Sequence, residues 1–255
     1  MKAAFYTLGC KVNQYETQAV AQEFMRHGYV VVESDEAADV YVINTCSVTR
    51  MADRKSRQYM RRMKNQNPDA VVVLMGCYPQ TNPQETAELA EADIILGTQD
   101  KLSVPDLVEE YLAERKRINV LLDRVAVPGP SGCPVTEKQF AELGSVRSMM
   151  GSRRTLIKVQ DGCNRFCSYC IIPHARGQIR SRSPQSIKNE AAELVSSGCR
   201  EIVLTGINTA LYGAENGFTA PRYTVLRGNL AEQVQGQFDV IVANIVADVI
   251  IFFAS

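Results

Sequence analysis

Tryptophan is absent, histidine occurs only twice, and 28 basic side chains are cancelled by 28 acidic ones. With 45% hydrophobic residues over 255 positions, the composition is that of one large or two modest globular domains, which excludes disorder and collagen-like repetition. The opening residues, Met1 to Cys10, lack the apolar run of a secretory signal, so the protein is expected to be cytoplasmic. No stretch reaches the roughly 20 apolar residues of a membrane span. The longest, 240–254, is interrupted by Asn244 and Asp248, and no membrane partner is expected. A net charge of zero, taken alone, argues against nucleic acid. No internal repeat is visible.

What the chain does have is cysteine, eight residues of it. In a reducing cytosol a disulfide framework is disfavoured, and metal, cluster or redox chemistry moves ahead of it.

Short β-branched runs at 3–8, 39–44, 70–75 and 93–96 alternate with amphipathic stretches at 14–27, 52–65, 82–91 and 103–115. This alternation predicts an α/β unit over 1–115 with an open, mostly parallel sheet. Residues 116–152, centred on Pro128-Gly129-Pro130-Ser131-Gly132, lose the periodicity and read as a linker. A second β/α unit follows, with a strand at 155–159, a Cys-rich loop, a helix at 185–197 and a strand at 201–204 closed by Gly206. After Tyr212 the texture shifts again, to strands at 223–226 and 239–243 around a short turn or helix at 230–234.

In the Cys-rich loop, Cys163, Cys167 and Cys170 stand at steps of four and three directly after a strand. Three thiolates on one short loop can hold three irons of a cubane cluster and leave the fourth open. The competing reading is a zinc knuckle completed by His174 or a distant Cys. Cys10, Cys46 and Cys77 look scattered, yet each follows a predicted strand. The carboxyl ends of parallel strands form the ligand crevice of an open α/β sheet, so these thiols are expected to converge there. Gly9 and Gly76 precede two of them, as close backbone approach requires. Cys199 reads as core, and Cys133 has no assigned role.

Arg50, Arg54, Arg57, Arg61 and Lys64 fall on one stripe of a helix, with Ala52, Ser56, Tyr59 and Met63 opposite. The stripe is either a solvated face or a surface for RNA phosphates, and almost no acid interrupts it in sequence. The segment 145–182 carries eight basic residues against Asp161 alone. There Arg176, Arg180 and Arg182 could hold a carboxylate of S-adenosylmethionine (SAM) or an RNA phosphate. The acid-rich stretch 85–114 is expected to lie elsewhere.

The Cys163–Cys170 spacing, with Tyr169 before the third Cys, resembles the radical SAM superfamily. Thr7-Leu8-Gly9-Cys10-Lys11-Val12-Asn13-Gln14-Tyr15-Glu16-Thr17, Asn44-Thr45-Cys46-Ser47-Val48-Thr49 and Gly76-Cys77 resemble the N-terminal domain of the methylthiotransferases. Ile157 to Gly177 and Arg180-Ser181-Arg182 resemble the start of their radical SAM domain. Gly9 to Glu16 is most similar to the branch acting on threonylcarbamoyladenosine in tRNA. The resemblance covers about residues 1–212. It implies two 4Fe-4S clusters, one on Cys10, Cys46 and Cys77 and one on Cys163, Cys167 and Cys170. It also implies SAM bound beside Tyr169 and Gly206, a tRNA partner, and methylthiolation of adenine, a chemistry supplied mainly by the cofactors.

A six-unit partial barrel needs on the order of 190 residues, whereas Arg154 to Gly206 is 53. The barrel is therefore expected to be truncated. Residues 218–255, through Tyr223-Thr224-Val225-Leu226 and Val242-Ala243-Asn244-Ile245, resemble an internal piece of the Rossmann-like methyltransferases of the ribosomal protein L11 type. They lack the Gly-rich loop that would hold SAM there. The expectation is a gene fusion near 212–217, giving a methylthiotransferase of doubtful activity. The alternatives are an inactive Fe–S or RNA-binding fragment and a ribosomal-protein methyltransferase.

Overall fold

The computed structural model describes residues 1–47, 50–124, 139–144 and 154–217. Cys133 and the tail 218–255, with its methyltransferase resemblance, lie outside the described residues.

The first unit runs β1 (Lys2–Thr7), α1 (Lys11–Arg26), β2 (Val30–Val32), β3 (Val40–Thr45), α2 (Arg50–Gln66), β4 (Val71–Gly76), α3 (Cys77–Thr81), α4 (Pro83–Ala87), β5 (Ile94–Ile95), α5 (Val104–Glu114) and β6 (Ile118–Asn119). Its six strands pair in parallel in the order β2-β1-β3-β4-β5-β6. β3 and β4 are buried at every position, as strands covered on both faces must be, and their apolar runs follow from that. Alternate side chains serve opposite layers. Val40 and Val42 join Val20 and Phe24 of α1 and Leu107 and Val108 of α5, while Tyr41 and Ile43 join Met60 and Met63 of α2. The order is that of a doubly wound sheet, whose direction of winding reverses between β1 and β3.

Three details differ from the sequence expectation. β2 was not expected, because three valines after the Gly28 turn are too few to show a period. The helix expected at 82–91 is only α4, Pro83–Ala87, and an unexpected short helix, α3, stands just before it, since Asn82 leaves helical geometry and Pro83 starts α4 afresh. The segment read as a linker opens with β6, where Ile118 and Asn119 pair with Ile94 and Ile95.

The second unit has β7 (Arg154–Asp161), α6 (Ile172–Arg176), β8 (Arg180–Ser181), α7 (Pro184–Ser196) and β9 (Glu201–Gly206). β7 and β9 are parallel and β8 joins β7 antiparallel, giving the order β8-β7-β9. The Ser183 hydroxyl caps α7 by accepting from the Ser186 amide at 3.1 Å, with Pro184 in the first turn. Leu194 of α7 packs on Ile157 and Val159 of β7.

Ile43 sits at the centre of the larger sheet, fully buried. Ile43→Ala is expected to destabilise the chain by about 2–5 kcal/mol, read as a lower urea midpoint with an unchanged m-value.

Candidate metal centres and the charged seam between them

β1, β3 and β4 are neighbours, with Thr7 in register with Asn44 and Asn44 with Met75. Cys10, Cys46 and Cys77 follow these three strands directly, at the end where the winding reverses. Gly9 has φ +122°, and a Cβ there would lie 2.9 Å from the Cys46 Cβ. Gly76 has φ +106°, and its Cβ would meet the Thr45 carbonyl at 2.6 Å. Both positions need glycine for the Cys-bearing turns to close on one another. Asn13 ties the turns together: its amide donates to the Leu8 carbonyl at 3.0 Å and the Thr45 carbonyl at 2.8 Å. Its Oδ1 accepts from the Cys10 thiol at 3.6 Å. All three thiols are free; Cys10 is exposed, Cys46 half-buried and Cys77 only 3% exposed. Burial pushes the Cys77 thiol up, while Arg176 and Lys101 pull it down.

The second triad follows β7. A Cβ on Gly162 would fall 1.9 Å from the Gln178 carbonyl oxygen, so only glycine fits where the loop leaves the sheet. The Cys163 amide donates to the Gly177 carbonyl at 3.1 Å, and the Cys170 amide donates to the Cys167 carbonyl at 2.9 Å. Cys163 is buried, Cys167 exposed and Cys170 half-buried. Phe166 and Tyr169 stand out into solvent, 63% and 90% exposed. Gly206, at the end of β9, lies against Gln160, whose amide donates to the Asp161 and Gly162 carbonyls at 2.7 Å each and so backs the loop.

Each triad offers three soft thiolate donors with close-approach glycines beside them, which fits a cluster held through three irons. Among the described residues, neither triad, even with His174, brings three donor atoms within 4.8 Å of one another, the spacing a single ion needs.

The arginines expected to meet SAM or phosphate are placed otherwise. Arg176, Arg180 and Arg182 are all buried and paired with carboxylates. Arg176 bridges the two units, with Nη1 on Glu16 of α1 at 2.8 Å and on Asp161 of β7 at 3.2 Å, and Nη2 on Asn13 Oδ1 at 2.6 Å. Lys158 bonds Glu16 at 2.8 Å and Asp161 at 2.6 Å, and Lys101 also bonds Glu16. Arg180 reaches Asp161 at 3.5 Å. Arg182 pairs with Glu190 and, at 2.8 Å, with Glu142. Burial alone would push Glu16 and Asp161 up, but the surrounding cations hold both well below the usual carboxylate range.

The basic stripe on α2 also finds acids. Arg57 bonds Glu85 at 2.6 Å, Arg61 bonds Glu91 at 2.8 Å and Lys64 bonds Asp93 at 2.7 Å, so the acid-rich stretch lies alongside the stripe rather than elsewhere. Arg54 is exposed, and Ser56, Tyr59 and Met63 are buried on the opposite side as the spacing predicts. The side chains of Arg50 and Ala52 are outside the description. The residues that sequence reasoning missed are Glu16, Lys101, Lys158 and Asp161. Their one signal was charge on an otherwise inward-facing position, as with Lys158 inside the apolar strand Thr155-Leu156-Ile157-Lys158-Val159.

Residues 2–97 match the uncharacterized protein family UPF0004, and residues 157–235 match the radical SAM superfamily, the latter continuing past Tyr212. The chain is 45% identical over 212 residues to the threonylcarbamoyladenosine tRNA methylthiotransferase MtaB of Bacillus subtilis, covering 83% of this chain and 45% of that one. The MtaB of Aquifex aeolicus is 42% identical over 226 residues, covering 89% and 52%. Among solved structures, the radical SAM methyltransferase TsrM of Kitasatospora setae superposes with a TM-score of 0.57 at 16% identity, covering 84% of this chain and 49% of that one. That likeness concerns the fold. The fold and matched domains define a radical SAM protein with a doubly wound N-terminal domain. Within that class, the chain belongs to the tRNA methylthiotransferase family. It spans about half the length of the curated relatives it matches.

The seam makes stability pH-dependent with a definite sign. Glu16 and Asp161 are more acidic folded than unfolded, so the unfolded chain binds more protons in acid. Their contribution is complete above the unfolded carboxyl values of about 4 and is lost as pH falls below them. Melting temperatures between pH 3 and 7 should show this acid limb, and Glu16→Gln should flatten it.

Proposed function

We propose that this chain carries the cofactor-binding part of a tRNA methylthiotransferase acting on threonylcarbamoyladenosine. The observation that carries the reading is the pair of three-thiol sites, one at the sheet's winding reversal and one on the loop after β7, in a chain this similar to MtaB. In this reading Cys10, Cys46 and Cys77 hold one 4Fe-4S cluster, and Cys163, Cys167 and Cys170 hold another with one iron open to SAM. When bound, the clusters and SAM supply the electron, the sulfur and the methyl group that the reaction needs.

The protein's own residues bind and orient. Gly162 lets the loop fold back on Gln178, and Gln160 fixes its base. The exposed ring of Tyr169 is available to stack on the adenine of SAM, with Gly206 clearing the strand end beside Gln160. Arg50 and Arg54, on the first turns of α2 after Cys46, are the proposed phosphate contacts. Arg57 and Arg61 can join them only by leaving surface pairs, which are individually weak, whereas Lys64 is held by the largely buried Asp93. Among the described residues no helix is long and apolar enough to cross a membrane. The proposed site of action is the cytoplasm, with tRNA and SAM as partners.

The span of half a relative's length favours a second reading, a cluster-holding portion that does not catalyse. Anaerobic reconstitution should give about eight irons per chain, falling by about half when Cys163, Cys167 and Cys170 are replaced by Ala. Reductant and SAM should then yield 5′-deoxyadenosine, and added tRNA should gain a methylthio group by mass spectrometry. Clusters without deoxyadenosine would establish the second reading, and no iron at either triad would overturn both.

A further inference from the structure

We propose that Arg176 and Lys101 are the buried counter-charge of the group held by Cys10, Cys46 and Cys77, and that they raise its reduction potential. The inference rests on the reading that this triad holds a 4Fe-4S cluster.

The seam is unbalanced. Leaving Arg180 at its edge aside, three buried cations, Lys101, Lys158 and Arg176, face two buried carboxylates, Glu16 and Asp161. An uncompensated charge in an interior is strongly unfavourable, so an anion is required nearby. Lys158 is committed, bonded to both carboxylates and set 5.4 Å from the centre of the Phe140 ring. Arg176 reaches the first triad through Asn13: its Nη2 donates to Asn13 Oδ1 at 2.6 Å, and the same oxygen accepts from the Cys10 thiol at 3.6 Å, while Lys101 shares Glu16 with Arg176. Arg176, 1% exposed, also keeps a donor in reserve: its Nε is buried without a hydrogen-bond partner among the described residues. The acids at the solvent side, Asp100 and Glu142, are exposed or half-exposed, and Glu142 already serves Arg182. Thiolates bound to iron at the three strand ends would supply the missing negative charge.

The consequence is a sign. A fixed cation beside a cluster favours its reduced, more negative state, and a fixed anion disfavours it. Removing Arg176 or Lys101 should lower the potential, whereas removing the charge of Glu16 should raise it. General loosening of the fold has no reason to produce opposite shifts.

The test uses the full chain with Cys163, Cys167 and Cys170 replaced by Ala, so that one cluster is read. After anaerobic reconstitution, dithionite titration followed by electron paramagnetic resonance gives the potential. Arg176→Met and Lys101→Met are each expected to disfavour reduction at least tenfold, about 59 mV for one electron. Glu16→Gln should shift it the opposite way, and Arg176→Lys, which keeps the charge, should stay near the parent. If Arg176→Met fails to take up iron, Lys101→Met and Glu16→Gln carry the same comparison. Shifts of one sign in both charge classes, or none in either, overturn the proposal. Failure of the parent to form any cluster instead overturns the reading beneath it.

Discussion

The rest of the structure hangs on one buried ion pair, Glu16 with Arg176. Glu16 lies in the second turn of α1, the helix that begins one residue after Cys10, and Arg176 ends the short helix α6 that follows Cys170. Joining them fixes the two cysteine sites against each other across the unit boundary. Such a pair adds little net stability compared with an apolar replacement, but breaking it by removing one partner costs about 3–5 kcal/mol. It therefore specifies geometry. Asn13, Lys101, Lys158 and Asp161 surround it and satisfy both Glu16 oxygens and the Arg176 terminal nitrogens, leaving the Arg176 Nε as the one group of the pair without a partner among the described residues.

The sheet supplies the other half of the arrangement. Parallel strands in the order β2-β1-β3-β4 bring three chain segments, separated by tens of residues, to one edge, and the reversal of winding between β1 and β3 opens a crevice there. Glycines at 9 and 76 remove the Cβ atoms that would hold those segments apart. Convergence of the cysteines is thus a property of topology, and access to them is a property of two missing side chains.

The strands and helices were legible because β3 and β4 are long β-branched runs and α1, α2 and α5 are periodic. The positions of the two cysteine triads after strands were legible for the same reason. Short elements were not: β2, β6 and β8 have two or three residues each and owe their existence to a neighbour's edge. The arginines were misread for a different reason. A loop rich in Arg176, Arg180 and Arg182 looks like an anion site when its partners, Glu16 and Glu142 among them, lie far away in sequence. The place of the acid-rich stretch was hidden likewise, because Glu85, Glu91 and Asp93 come to the α2 stripe through the packing of two consecutive β/α units.

These pairings change what the net charge of zero means. Cancellation is local: the acids of 85–93 sit on the α2 stripe, and Glu16, Asp161 and Glu190 sit on the interior arginines. Neither basic cluster is therefore a free electrostatic surface, and long-range attraction of a polyanion cannot come from them in full. The groups left exposed are few: Arg54 on α2, and the rings of Phe166 and Tyr169 on the second loop. Aromatic faces stack on bases whatever their sequence. A nucleic acid meeting these groups would be held by stacking and a few cations, a mode compatible with zero net charge.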